Sequence, residues 1–157
     1  PYDDDTEVAN GTGGWGVARL PDGSVLAAEY DGYESMICRY ADPTVQDEPC
    51  DTVVQFTNDE VGWLSDPAVS PDGTLLAANV GAPGDDDGST LRLFDVATGA
   101  PVRTLAALGH DPSFSPDGTT VVYGGNDGWL YLVPTGGGEP ERLVEGTTPT
   151  WVAGNLP

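Results

Sequence analysis

The sequence predicts an all-β protein built of repeated four-stranded antiparallel sheets, and three observations support this fold class. The tripeptide Pro-Asp-Gly occurs three times, starting at residues 21, 71 and 116, so the copies are offset by 50 and 45 residues. A β-rich run follows each copy, and no segment shows sustained helical periodicity. Repeats of this length are typical of solenoids, arrays and propellers.

Each Pro-Asp-Gly copy predicts a tight turn between two short strands. Proline presets φ at the first turn position, aspartate tolerates the second, and glycine takes the left-handed position. Asp66-Pro67 and Asp111-Pro112 stand at the same distance before the second and third copies. We therefore expect a hairpin at each copy. The strands that follow are Val25-Leu26-Ala27-Ala28, Leu75-Leu76-Ala77-Ala78 and Val121-Val122-Tyr123.

A second turn completes each repeat. Residues 95–99 separate two strands in the second repeat, and residues 134–138 do so in the third. Each repeat thus predicts four antiparallel strands, which is the pattern of a β-propeller blade.

Three segments carry a resemblance to a known family. They are Ser70-Pro71-Asp72-Gly73, Asp95-Val96-Ala97-Thr98-Gly99 and Ser115-Pro116-Asp117-Gly118. These resemble the WD40-like (PD40) repeat of TolB-type propellers. The first copy matches less well, since Leu20 stands in place of the serine. The resemblance spans about residues 15–152 and implies a β-propeller fold, a fold that hosts many unrelated activities.

The repeats divide the chain into an N-terminal tail and about three blades plus one extra inner strand. Asp3, Asp4 and Asp5 make the tail acidic. Thr148-Pro149-Thr150-Trp151 resembles the opening of a further blade, but no Pro-Asp-Gly turn follows it. The expected ranges are 1–14 for the tail, 15–157 for the repeats, about 15–60, 64–107 and 110–146 for the blades, and 149–152 for the strand.

Three blades do not close a ring, since propellers typically have four or more. Three alternatives are open. The chain is part of a longer propeller, two copies form a six-bladed ring, or the N-terminal stretch and the last strand complete a small closure. A homodimer would also cover free strand edges.

The charge of the chain limits its partners. With 26 acidic and 5 basic side chains, the formal net charge is −21. Nucleic-acid binders need Lys and Arg to displace counterions from phosphates, so the sequence argues against nucleic acid. It argues equally against anionic membrane surfaces. No apolar run approaches the roughly 20 residues of a membrane helix.

The two cysteines predict an oxidising compartment. Cys38 and Cys50 flank a polar, proline-containing stretch, and two strands joined by it would bring the sulfurs together. Such a disulfide forms in secreted, periplasmic or cell-surface proteins. The alternative is two unpaired thiols. No signal-peptide pattern follows Pro1, so we expect either a removed leader or a piece of a longer chain.

Five residues are candidates for binding a partner or ligand. His110 and Asp111 stand at the start of an innermost strand, where propeller loops face the channel mouth, and Asp66 is the matching residue one repeat earlier. Trp63 precedes the second blade and suits stacking on a sugar or anchoring a partner. Tyr33 lies in a polar-aromatic turn suited to protein contacts. For each residue, a purely structural role in packing or turns is the alternative.

Asp85, Asp86 and Asp87 are candidate calcium ligands. Adjacent carboxylates on a glycine-rich loop supply the oxygen ligands that Ca²⁺ prefers. Their spacing differs from an EF-hand, and a solvated loop is the alternative. We expect no other cofactor.

The favoured function is a non-enzymatic protein-binding or scaffold module outside the cytoplasm. The chain has one histidine and no Gly-x-Ser-x-Gly segment, so no catalytic constellation is recognised. The family resemblance also implies an alternative, the gating propeller of a prolyl-oligopeptidase-like hydrolase. A carbohydrate- or calcium-binding propeller is a further alternative.

Overall fold

The computed structural model describes residues 16–42, 44, 49–83 and 89–151, and its regular elements are β-strands. No helix in these residues is long and apolar enough to cross a membrane. The strands are β1 (Val17–Arg19), β2 (Val25–Tyr30), β3 (Glu34–Tyr40), β4 (Asp51–Thr57), β5 (Leu64–Val69), β6 (Leu75–Gly81), β7 (Ser89–Asp95), β8 (Pro101–Ala106), β9 (His110–Phe114), β10 (Thr120–Gly124), β11 (Trp129–Pro134) and β12 (Glu141–Glu145).

The strands form three four-stranded antiparallel sheets in simple sequence order. These are β1-β2-β3-β4, β5-β6-β7-β8 and β9-β10-β11-β12, which we call the first, second and third blades. The predicted all-β fold of three four-stranded blades is confirmed. Residues 149–151, predicted as part of a further inner strand, lie beside β9 without strand geometry. There the Trp151 indole donates a hydrogen bond to the Ser113 carbonyl at 3.0 Å.

The blades pack face to face through two apolar clusters. Leu26 and Ile37 of the first blade share one cluster with Leu76 and Phe94 of the second, and all four side chains are fully buried. The other cluster joins the second and third blades and includes Leu91, Leu93, Val121 and Val133. Burial of one such side chain contributes roughly 1.5–3 kcal/mol, so these two faces hold the blades together.

The first blade differs from the others in the register of its Pro-Asp-Gly turn. The Leu20 N–H donates to the Ser24 carbonyl, whereas the Ser70 N–H reaches the Leu75 carbonyl, one residue further along. Arg19 therefore pairs with Val25, while Val69 pairs with Leu76. A shift of one residue exchanges the two faces of a strand.

As a result, residues that follow the first two turns at the same distance face opposite ways. Leu26 points toward the second blade, and Leu76 points back toward the first, so both enter one cluster. Val25–Ala28 and Leu75–Ala78 are both strands, as predicted, but their registers differ by one residue, and Leu20 stands where the second repeat has Ser70. In the second repeat, the Ser70 hydroxyl accepts the Leu75 N–H at 2.9 Å.

Cys38 and Cys50 form the predicted disulfide. Cys38 is fully buried on β3, and Cys50 stands just before β4. The bond lies on the face of the first blade turned away from the second, where Cys38 packs with Ala27 and Tyr40. It therefore ties β3 to the start of β4 beside a face that no other described blade covers.

The antiparallel order gives the molecule two distinct edges. At one edge, which we call the mouth edge, the innermost strands β1, β5 and β9 begin. The Pro-Asp-Gly turns at residues 21–23, 71–73 and 116–118 lie at the opposite edge, the turn edge. The innermost strands are neighbours, with β5 in contact with both β1 and β9.

Candidate functional site

All five predicted binding residues lie toward the mouth edge. Tyr33 is in the turn between β2 and β3, and Trp63 stands just before β5. Asp66 lies within β5, while His110 and Asp111 begin β9. Chain order alone produces this grouping, because every second turn of an antiparallel meander returns to the same edge.

An open concavity of about 280 Å³ lies where the innermost strands converge. It brings together Asp66 and Asp111, whereas Trp63, Tyr33 and His110 do not line it. Four of its lining residues stand at equivalent positions of the repeats. Three of these four are followed directly by a proline that also lines the concavity. These are Gly16, Asp66, Asp111 and Thr148, then Pro67, Pro112 and Pro149.

The backbone at this position is left-handed in every complete blade. φ is 106° at Gly16 and 49° at both Asp66 and Asp111. Aspartate is one of the few side chains that adopt this conformation at modest cost. The strand pairing is irregular at both aspartates. Each of the three blades therefore contributes the same backbone conformation to the concavity.

Asp66 is held in a partly buried position by two donors. The Ser65 hydroxyl and the Asn79 amide both donate to its Oδ2, at 2.8 and 2.9 Å. Burial raises the pKa of the Asp66 carboxyl above its usual value of 3.8, the Ser65 hydrogen bond opposes that rise, and the Asp111 charge adds to it. The two carboxylates therefore lie close enough to repel each other.

His110 pairs with its neighbour in sequence. Its Nδ1 lies 2.9 Å from Asp111 Oδ2, and its ring rests on Gly124 of β10. A Cβ at Gly124 would overlap both this ring and the carbonyl oxygen of Thr147, so the position requires glycine. His110 thus holds the Asp111 carboxylate without itself lining the concavity.

Trp63 and Tyr33 occupy different surroundings. The Trp63 ring packs directly on Gly81 of β6 and is half-buried, so it has a packing role in the second blade. Tyr33 is 62% exposed, and its N–H donates to the Asp31 carboxylate, which fixes the turn. Neither aromatic ring extends the concavity.

The predicted calcium ligands Asp85, Asp86 and Asp87 lie outside the described residues. In the part of the chain that the structure describes, no group of three or more His, Cys, Asp or Glu side chains is arranged to hold a metal ion.

Sequence reasoning missed Gly16, Thr148 and Asn79 as parts of the site. The first two stand at the position of Asp66 in the repeat alignment, so extending that alignment would have found them. Asn79 gave no such signal, because Glu29 and Gly124 stand at the same distance after the other two turns.

Comparison with known proteins supports the fold. No family model and no curated protein matches the sequence. Among solved structures, TolB from Acinetobacter baumannii is similar over 80% of this chain, with a TM-score of 0.59 and 23% identity. The Dos1 propeller is similar over 86% of this chain, with a TM-score of 0.58 and 15% identity. Kuenenia stuttgartiensis hydrazine synthase is similar over 75% of this chain, with a TM-score of 0.56 and 14% identity.

The chain spans only part of each of these structures, 33% of TolB, 34% of the Dos1 propeller chain and 39% of the hydrazine synthase chain. Identities this low show the fold alone. The chain is therefore a β-propeller module, with three complete blades in the described residues.

Proposed function

We propose that this chain is a non-enzymatic protein-binding module that works outside the cytoplasm and binds a basic segment of its partner at the mouth edge. The observation that carries this proposal is the concavity in which Asp66 and Asp111 meet at equivalent positions of adjacent blades. Acidic side chains on a concave surface complement a basic segment.

The charge of the whole chain supports a basic partner. Two carboxylates of the described residues take part in the ion pairs Arg39–Asp22 and His110–Asp111. With 5 basic side chains against 26 acidic ones, the chain keeps a formal net charge of −21 whichever carboxylates are paired. A field of this sign accelerates association with positively charged partners and weakens as salt is added.

The non-enzymatic part of the proposal rests on the residues at the mouth. Asp66 and Asp111 line the concavity, His110 contacts Asp111, and the sequence offers no nucleophile motif to accompany them. Hydrogen-bonded carboxylates with left-handed backbone are suited to holding a partner group in a fixed position.

The location outside the cytoplasm rests on the Cys38–Cys50 disulfide. Structural disulfides persist in oxidising compartments and are rare in the cytosol. Alkylation of thiols in the intact source cells, followed by mass measurement, should leave both cysteines unmodified. Two alkylated cysteines would contradict this location.

Fluorescence anisotropy with a labelled peptide of alternating Arg and Gly tests the binding function. We expect the double variant Asp66→Asn/Asp111→Asn to bind about tenfold more weakly than the unmodified chain, since two charge-assisted contacts are lost. The matched control is Asp59→Asn/Glu145→Gln, which removes the same charge from exposed positions at the mouth edge. Equal weakening by the two double variants would contradict a specific site.

A further inference from the structure

We propose that the third blade binds a β-sheet of a basic partner protein on the face that it turns away from the second blade. We call this face the outer face. It lies apart from the mouth edge, so this interface is additional to the proposed function.

The contact between the second and third blades shows what such a face requires. In the second blade, Ala77 of β6 pairs with Leu93 of β7. Leu91 of β7 pairs with Ala106 of β8. All four side chains belong to the apolar cluster that joins the two blades. The second blade therefore seats the third on these two pairs.

The outer face of the third blade repeats this arrangement. Val122 follows its Pro-Asp-Gly turn at the same distance as Ala77, and it pairs with Leu132 of β11. Leu130 of β11 pairs with Val144 of β12. Each of the four positions that carry a contact residue in the second blade thus carries an apolar residue here.

The two faces differ in exposure. Val144 is 51% exposed, and Leu130 and Leu132 are only half-buried. Leu91 and Leu93, at the equivalent positions of the second blade, are fully buried. In the part of the chain that the structure describes, no strand packs on the outer face. Because the apolar face of a sheet is stable when another layer covers it, the outer face is suited to a further β-sheet.

A charged position at the rim of the face specifies the chemistry of the partner. Arg103 pairs with Leu93 in the second blade, and its guanidinium donates to the Gly136 carbonyl of the third blade. The equivalent residue of the third blade is Glu141, which pairs with Leu132 and is exposed. A carboxylate only accepts hydrogen bonds, so the covering sheet must bring a donor to this position. Lysine or arginine supplies both the donor and the opposite charge.

A second copy of the chain suits this face poorly. Each copy has a net charge of −21, and two outer faces packed on each other would bring two Glu141 carboxylates to one interface. The face of the first blade turned away from the second offers little apolar surface, since Ala27, Cys38 and Tyr40 are at most 6% exposed. The occupant is therefore a sheet of a different protein with basic residues at its rim.

Photo-cross-linking in the intact source cells tests this interface. The probe is p-benzoylphenylalanine in place of Val144, and the matched control carries it in place of Val102, which is 45% exposed on β8. We expect the probe at Val144 to cross-link to a β-strand of another protein, beside a lysine or arginine of that strand. The probe at Val102 should not cross-link to that protein. Cross-links to a second copy or to the same polypeptide, or no cross-link at all, would overturn the proposal.

Charge reversal on β12 distinguishes this interface from general attraction to an acidic surface. Glu141 lies on the outer face, whereas Glu145 lies on the opposite face of the same strand, where it pairs with Trp129. Both carboxylates are exposed, so neither reversal disturbs packing. Glu141→Lys should lower the yield of the Val144 cross-link about tenfold, and Glu145→Lys should leave it unchanged. Equal yields in the two variants would overturn a specific role of the outer face.

The mouth edge serves as a separate control. The double variant Asp66→Asn/Asp111→Asn changes the concavity and should leave the Val144 cross-link unchanged, whatever its effect on the Arg-Gly peptide. Loss of the cross-link in this double variant would overturn the outer face as a separate interface.

Discussion

Asp66 combines a left-handed backbone with a partly buried charge, and both features affect stability. Because burial raises its folded pKa above 3.8, the folded chain holds the proton more tightly than the unfolded chain. The contribution of Asp66 to stability is therefore full below pH 3.8 and declines as the pH rises through the folded pKa. A charge is kept here at a cost in stability, as is common at binding sites.

We predict that Asp66→Asn raises the melting temperature at pH 7 by up to about 3 °C, since it removes the buried charge and keeps the φ tolerance. The gain should vanish below about pH 4, where the wild-type carboxyl is protonated. Scanning calorimetry across pH measures both values. Asp66→Ala is the control and should lack the gain, because alanine disfavours φ of 49°. A gain that grows toward acid would contradict the burial argument.

Gly124 determines where His110 lies. We predict that Gly124→Ala destabilises the chain by about 1–3 kcal/mol, because a methyl group would overlap the imidazole and the Thr147 carbonyl. Urea denaturation gives the free energy of unfolding, and His110 ring resonances report the displacement. Gly136→Ala in the same blade has open space around it and should have little effect. Similar losses in both variants would show that the contact with His110 is unimportant.

At the scale of the element, the Pro-Asp-Gly turns are hydrogen-bonded units. In the third blade, the Ser115 hydroxyl donates to Asp117 Oδ1 at 2.6 Å, and the Thr119 N–H and hydroxyl donate to the same atom. The hydrogen bond from the Ser115 hydroxyl, followed by the two from Thr119, lowers the pKa of Asp117 from 3.8 to about 2. The aspartate therefore organises the turn as an anion.

Asp117→Asn should destabilise the chain at neutral pH, since the amide lacks the charge that strengthens these hydrogen bonds. A lowered folded pKa stabilises above pH 3.8, and this stabilisation is lost as the pH falls toward 2. Unfolding free energies of variant and wild type should therefore converge between pH 4 and about pH 2. A constant difference across that range would show that the turn needs the side-chain shape and not its charge.

The disulfide is the second element-scale constraint. We predict that Cys38→Ser/Cys50→Ser, or reduction of the native chain, lowers the free energy of unfolding by about 3 kcal/mol through loop-closure entropy. Denaturation with and without reductant measures this difference. The double variant should show no further response to reductant, and an unchanged wild type under reduction would contradict a stabilising bond.

How much could be predicted from the sequence also differs between elements. The Pro-Asp-Gly turns, the four-strand pattern and the Cys38–Cys50 bond follow from local chemistry, so the sequence was sufficient for them. The shifted register of β2 could not be predicted, because the shorter turn of the first blade and the longer turn of the second blade contain the same tripeptide. At the mouth, Asp66 and Asp111 were found by their repeat position, but the contribution of Asn79 depends on the bulge in β5, which no local pattern specifies.

At the scale of the whole molecule, residues 148–151 lie beside β9, on the side away from β5, where a fourth blade would begin. Thr148, Pro149 and Thr150 line the concavity with the equivalent residues of the three blades. If two copies formed a six-bladed ring, β1 of the second copy would be expected beside β9, as β1 and β9 lie beside β5, and residues 148–151 lie there in this chain. Ring formation by two copies therefore requires residues 148–151 to leave β9.

We accordingly expect sedimentation velocity at micromolar concentration to show a monomer, with the Trp151 indole still bonded to Ser113. The exposed Leu143 and Val144 of β12 are the residues that would favour association. A concentration-dependent dimer with a shifted Trp151 indole resonance would contradict this expectation and support the six-bladed ring.

The distribution of charge gives the most direct test of the central claim that the mouth edge binds a basic partner. Asp22, Asp72 and Asp117 make the turn edge acidic as well, so charge alone does not distinguish the two edges. A spin-labelled Arg-Gly peptide, followed by paramagnetic broadening in NMR spectra of the chain, shows which edge it contacts. We predict broadening around Asp66, Asp111 and the Trp151 indole. Broadening centred on the Pro-Asp-Gly turns would contradict the claim.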